Sequence, residues 1–194
     1  MTKIILATSS QSRQEAFRLL DLEFTAQGSD VEEYFKGRPD SPEELVLHLA
    51  KLKAESVAKH YDSGIIMGFD SVGWFNRQIL EKPKSRNEAY IRLKSLSGSV
   101  YQFYTGICMI NLESGKKITK VAITDVQMRN LTDSEINKYL DQDSRFNTFA
   151  SGYDPLENYS STFVRKIEGS YNNLTRGIPL ETIVEMLPDV GYKL

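Results

Sequence analysis

Four short stretches of this sequence carry residue types at spacings that suit phosphate chemistry. The first is Ser9-Ser10-Gln11-Ser12-Arg13, which follows an apolar run and precedes a helical pattern. A turn from strand to helix aims free backbone N–H groups and the positive end of the helix at one point. Hydroxyls and an arginine beside it complete an anion site. The same residues also read as a capped helix with a surface arginine. The second is Gly68-Phe69-Asp70-Ser71-Val72, where one carboxylate interrupts an apolar stretch. A charge in mid-strand is costly unless it holds something, and a divalent cation or an attacking water would serve. An edge or bulge position that lets Asp70 meet solvent is the alternative. The third is Glu81-Lys82-Pro83, in which Pro83 stiffens the turn and fixes Lys82 as a point charge for phosphate, or leaves it as a plain surface lysine. The fourth is Glu32-Glu33 after Asp30, with Lys53 on the helix that follows.

Together these residues are a set of carboxylates and cations suited to a phosphate–metal site. Other chemistries find no support. The chain has neither Gly-x-x-x-x-Gly-Lys-Ser/Thr nor Gly-x-Gly-x-x-Gly. Its two histidines, His48 and His60, lack partners for zinc or for a serine triad. The single cysteine, Cys108, lies in the apolar run Ile107–Ile110 and reads as a buried, inert thiol. Twenty-four Lys and Arg against 26 Asp and Glu give a net charge of -2. No overall positive field therefore favours nucleic acid or an anionic membrane. The apolar start, Ile4 to Ala7, is too short for an export signal or a membrane span, so a cytoplasmic location is expected.

The elements that must position these residues follow from the pattern. With 194 residues, 40% of them hydrophobic, the chain suits one domain over 1–194, with two lobes sharing a cleft. Strands are expected over Lys3–Thr8, Leu22–Gln27, Ile65–Phe75, Val100–Leu112, Ile118–Met128 and Thr162–Ile167. Helices are expected over Arg13–Leu20 (apolar at Ala16, Phe17, Leu19 and Leu20), from Pro42 onward with Leu45, Leu49, Leu52 and Val57 inward, within Pro83–Leu96, from a capping box at Thr132–Glu135 to Leu140, and over Pro179–Leu187. Residues 31–42 and 141–161 read as irregular. The alternation predicts an α/β fold whose mixed sheet is antiparallel around the two long strands.

Taken in order, these pieces resemble the Maf family of nucleotide pyrophosphatases, which is related in fold to the inosine triphosphate pyrophosphatases. The likeness spans nearly the whole chain. It rests on Leu6–Arg13, Val31-Glu32-Glu33, Leu49–Ala54, Gly68–Val72, Glu81-Lys82-Pro83, Leu96-Ser97-Gly98 with Tyr104-Thr105-Gly106, Ile167–Tyr171, and Gly177–Leu180. Each piece is weak, but eight in the right order are specific.

The resemblance implies hydrolysis of a nucleoside triphosphate to a monophosphate and pyrophosphate. It implies an elongated sheet flanked by helices with a cleft between two lobes, Mg²⁺ or Mn²⁺ as cofactor and, in many members, a homodimer. It makes Asp70 the general base and Glu33 with Asp70 the metal ligands. Lys53 and Lys82 become catalytic cations, and Ser9, Ser10 and Arg13 line the phosphate site. A nucleotide-binding regulator of the same fold with little turnover is the alternative. Ser12, Ser71 and Glu157 fall where the family selects its base, and there the chain departs from the pyrimidine-type pattern. Glu157 is a carboxylate, which can accept two hydrogen bonds from guanine and favours a cationic 7-methylguanine further. The aromatic partner expected for such a base is missing at Ser12, which leaves Phe69, Tyr153 or Tyr159 to stack on it.

Overall fold

A computed structural model describes residues 2–193. One seven-stranded sheet organises the chain: β1 (Ile4–Ala7), β2 (Phe24–Ala26), β3 (Ile65–Phe75), β4 (Gln78–Leu80), β5 (Val100–Asn111), β6 (Lys117–Met128) and β7 (Val164–Glu168). The spatial order is β2-β1-β3-β5-β6-β7, with β4 added alongside β3. β2 and β3 flank β1 in parallel, reached through α1 (Gln11–Arg18) and α2 (Pro42–Ala58). All other pairings are antiparallel. Helical connections return the chain in parallel beside β1, and tight turns reverse it between β3 and β4 and between β5 and β6; β5 and β7 come back antiparallel through longer, helix-containing segments.

Strand alternation sorts the core into two faces. Ile4 and Leu6 pack with Phe17 of α1 and with Ile183 and Leu187 of α6 (Leu180–Asp189). Ile5 and Ala7 face Ala50, Ala54 and Val57 of α2. A separate core at the other end gathers Leu93 of α3 (Arg86–Leu96), Tyr139 of α4 (Asp133–Gln142), Tyr101, Val126, Tyr153 and Phe163. The long strands β3, β5 and β6 run through both ends.

Between the two ends, β3 loses its neighbour on one edge. β1 pairs it only through Gly68, and β4 begins only at Gly73. Phe69 to Val72 are therefore unpaired on that side while remaining paired to β5 on the other. The loops leaving the C-terminal ends of β1 and β4 open at this split, the usual place for a ligand crevice in such sheets.

α2 starts where the sequence predicts. Ser41 caps it by accepting from Glu44 N at 3.4 Å, and Pro42 occupies the first turn. Other boundaries move. α1 begins two residues earlier than expected because Ser10 is the cap, accepting from Arg13 N. It stops at Arg18, so Leu19, expected in the core, is 75% exposed. β2 is trimmed to three residues because it pairs only Ile4 to Leu6. A 3₁₀ turn over Tyr159–Thr162 displaces the start of β7 to Val164. Among the strands and α-helices, two short elements were not anticipated. β4 follows Asn76 and Arg77, both at positive φ in a hairpin turn. α5 (Tyr171–Arg176) is capped by Ser170 and closed by Gly177 in the left-handed conformation. No helix among the described residues is long and apolar enough to cross a membrane.

Candidate active site

The split in the sheet is the floor of a cleft of about 640 Å³. Asp70 lies there on the unpaired stretch of β3, opposite Gly106 of β5, and is only 6% exposed, so it does not meet solvent as the edge alternative required. Its parity on β3 matches Ile66 and Val72, so it faces α2. Two glycines let α2 come close. A Cβ on Gly68 would sit 2.2 Å from the Ala50 carbonyl oxygen, and one on Gly106 2.3 Å from that of Val46. This close approach brings Lys53 down onto Asp70. Lys53 Nζ donates to Asp70 Oδ1 at 2.6 Å and to Glu33 Oε1 at 2.6 Å. Glu33 arrives from the loop between β2 and α2. It lines the cleft, and its neighbour Glu32 does not.

The two carboxylates are driven apart in acidity. Burial pushes the Asp70 carboxyl up, and this outweighs the pull of Lys53 and Arg13. Partial burial also raises Glu33, but its bond to Lys53 and the charges of Lys82 and Arg13 bring it below the usual range. A pair separated in this way makes Asp70 the readier proton acceptor and Glu33 the more firmly ionised partner.

On the opposite face of β3, Arg13 reaches the same strand. Its Nε donates to the Gly177 carbonyl at 2.8 Å, Nη2 to Ser71 Oγ at 2.8 Å and Nη1 to the Phe69 carbonyl at 3.4 Å. Ser71 also shares a proton with Thr105 Oγ1 at 2.7 Å. Arg13 is thus no free surface arginine. It bolts the α5–α6 junction to the unpaired edge of β3 and still lines the cleft. Ser9, Ser10 and Ser12 line it at the start of α1, and Lys82 does so from the turn after β4.

A family model described as Maf-like protein matches residues 3–190. The chain belongs to the Maf family. It is 34% identical over 198 residues to a protein of Clostridium botulinum strain Hall named dTTP/UTP pyrophosphatase, covering 100% of both chains. It is 32% identical over 188 residues to one of Pseudoalteromonas translucida named 7-methyl-GTP pyrophosphatase, covering 97% of this chain and 92% of the other. Among solved structures it shares its fold with the Staphylococcus aureus Ham1 protein. That match has a TM-score of 0.55 at 16% identity and covers 96% of this chain and 98% of that one.

Residues from six of the eight motif stretches line the cleft, and so do Ala150, Ser151 and Asp154 to Glu157 of the divergent segment. Glu157 lines the far wall, where its Oε2 accepts from Arg145 Nη2 at 2.7 Å. Arg145 also donates to Asp143 Oδ1 at 3.2 Å and lies 3.8 Å from Asp154 Oδ2. Three carboxylates around one guanidinium leave this end of the cleft negative. The stacking partners suggested by the sequence are not there. Phe69 and Tyr153 are fully buried in the cores, and the Tyr159 hydroxyl is bonded to Glu135 Oε1 at 3.0 Å. Tyr34, Phe103 and Phe149 are the aromatic residues that line the cleft.

Sequence reasoning also passed over Arg38, Arg92 and Arg145. Arg38 lies in an irregular loop, Arg145 in a short 3₁₀ turn and Arg92 half-buried on α3, and a lone arginine in such places has no periodic signature. Cys108 is buried in β5, which pushes its thiol up to about 11 and keeps it protonated near neutrality. Among the described residues no group of three or more His, Cys, Asp and Glu side chains could hold a metal ion. Glu33 and Asp70 offer two hard oxygen ligands that already converge on one cation, Lys53.

Proposed function

We propose that the cleft hydrolyses a nucleoside triphosphate between its α- and β-phosphates, releasing a nucleoside monophosphate and pyrophosphate. The observation that carries this is the buried Asp70 beside Lys53, in a cleft that Glu33, Arg13 and Lys82 also line. The pyrophosphatase names of full-length relatives support it. Water attacks the α-phosphorus and gives its proton to the Asp70 carboxylate. The bond from that phosphorus to the bridging oxygen breaks, and pyrophosphate departs with the electron pair. Charge grows on the leaving oxygens, and Lys53, Lys82 and Arg13 supply fixed positive charge where it develops.

Glu33 and Asp70 would hold Mg²⁺ or Mn²⁺. Two carboxylates completed by substrate phosphates are a normal ligand set for such ions. When bound, the ion adds Lewis-acid stabilisation of the phosphoryl oxygens.

For the base, the negative far wall favours a guanine-type or cationic 7-methylguanine ring, since a carboxylate accepts hydrogen bonds and cannot donate one to a pyrimidine carbonyl. The dTTP/UTP names among relatives of equal or greater identity support the competing preference. A panel of UTP, dTTP, GTP and 7-methyl-GTP assayed for pyrophosphate tests both levels. Orthophosphate as the product, or binding with no turnover, overturns the reaction. A preference for UTP overturns only the base assignment.

A further inference from the structure

One cluster in the cleft has no part in the chemistry above. Glu81 directly follows the last residue of β4 and precedes Lys82. Both of its carboxylate oxygens are taken by the loop that carries Glu33: Arg38 Nη1 lies 2.7 Å from Oε1, and the Tyr34 hydroxyl donates to Oε2 at 3.0 Å. The Arg38 guanidinium also lies 5.0 Å from the Tyr34 ring centroid, so the two partners brace each other. The Glu81 backbone is held from a third direction. Its carbonyl accepts from Arg92 Nη1 at 2.9 Å, and that nitrogen also donates to the Ala150 carbonyl at 2.6 Å. Tyr34, Arg38, Glu81, Lys82 and Ala150 all line the cleft.

The arrangement is not cheap. The Glu81 side chain is 37% exposed and that of Arg38 21%, a setting in which an ion pair contributes little. Arg38 Nε is moreover buried with no hydrogen-bond partner among the described residues, which is a cost in itself. A pair that adds little stability and strands a donor is poorly explained by stability alone. Its placement explains it better. Tyr34 follows Glu33 directly, and Lys82 follows Glu81 directly. The loop from Val31 to Asp40 contains no helix or strand of its own, so side-chain ties must fix it.

We propose that Glu81 is a positioning residue. It clamps the Glu33 loop to the Lys82 turn, setting the acidic and cationic groups of the cleft at a fixed separation. This rests on the pyrophosphatase reading only in what the clamp is for. The clamp itself is tested without substrate.

The experiment compares wild type with Glu81→Gln, Arg38→Met, the double variant, and Lys84→Gln as a control. Among the described residues Lys84 is engaged through its backbone N–H alone, to Glu88. Backbone hydrogen exchange over residues 31–40 is followed without nucleotide, and kcat, KM and Tm are measured with the best triphosphate substrate. Both single variants should speed exchange in this segment and lower kcat/KM by roughly 10- to 100-fold, the scale of loss from a misplacement of about 1 Å. The double variant should be no worse than either single one, because all three break the same contact. Tm should hardly move, whereas a merely structural pair would move Tm and leave kcat and KM of the folded enzyme alone. Unchanged exchange over 31–40 overturns the proposal, as do losses in kcat/KM that add in the double variant. If wild type releases no pyrophosphate, the functional reading fails alone. The clamp is then judged by the exchange rates and by binding of a non-hydrolysable triphosphate analogue, which weakens if the clamp is real and is unchanged if it is not.

Discussion

Replacing Asp70 by asparagine separates the catalytic role proposed for this residue from its cost to the fold. The change keeps the side-chain shape but removes the negative charge, 2.6 Å from Lys53 Nζ. As a general base Asp70 should contribute about 10²- to 10⁴-fold, so kcat should fall by that range. Stability should move the other way. Burial raises the Asp70 carboxyl in the folded chain despite Lys53 and Arg13. A raised folded value means that the associated stability is fully present below the unfolded value of about 4 and is lost as pH rises through the folded value. Asparagine does not ionise and escapes that loss. Each unit of upward shift is worth about 1.4 kcal/mol, and each kcal/mol about 2–4 °C in Tm for a chain of this size. In metal-free buffer the variant should therefore melt above wild type near neutral pH, and the two curves should meet below about pH 4. Lys53 keeps Glu33 as a partner, so no cation is stranded. For the same reason the acid limb of wild-type kcat/KM should lie above the usual carboxylate range. Thermal melts across pH and a pyrophosphate assay measure all three effects. A variant with near-native kcat refutes the base assignment. One that melts below wild type near neutrality shows that attraction to Lys53, and not burial, dominates at Asp70.

Lys82→Ala should lower kcat/KM by roughly 10²-fold, the scale for one preorganised charge partner. Lys59→Ala, at the exposed end of α2 and outside the cleft, should leave it within twofold; equal behaviour of the two would return Lys82 to the solvated surface. Glu157→Gln should narrow the ratio of kcat/KM for GTP over UTP by about 1–3 kcal/mol, since the amide can donate where the carboxylate cannot. An unchanged ratio removes Glu157 from base selection. Gly106→Ala places a methyl 2.3 Å from the Val46 carbonyl oxygen and should cost roughly 1–3 kcal/mol in a urea melt while also slowing turnover, because α2 carries Lys53 away from Asp70. A native Tm would mean that α2 shifts without resistance.

Several residues proposed here to carry the chemistry stand out in the sequence because they break a local pattern. Asp70 interrupts a buried strand, Ser10 caps a helix, and Pro83 fixes the lysine before it. The long helix and the three long strands were legible for a related reason: periodicity over ten or more residues outweighs any single exception. Short elements were not. Three residues of β4 or six of α5 bury too little to leave a period, and contacts made elsewhere hold them. Which carboxylate is raised and which lowered was likewise beyond the sequence, since burial of Asp70 and exposure of Glu33 exist only once α2 packs on Gly68 and Gly106. The same holds for Arg145 beside Glu157 and for Glu81 between Tyr34 and Arg38. Those partners lie 12 to 47 residues apart in segments without repeat or period. Sequence spacing decides which side chains share a face of one element. Only the folded sheet, split at Phe69–Val72, decides which elements share a cleft.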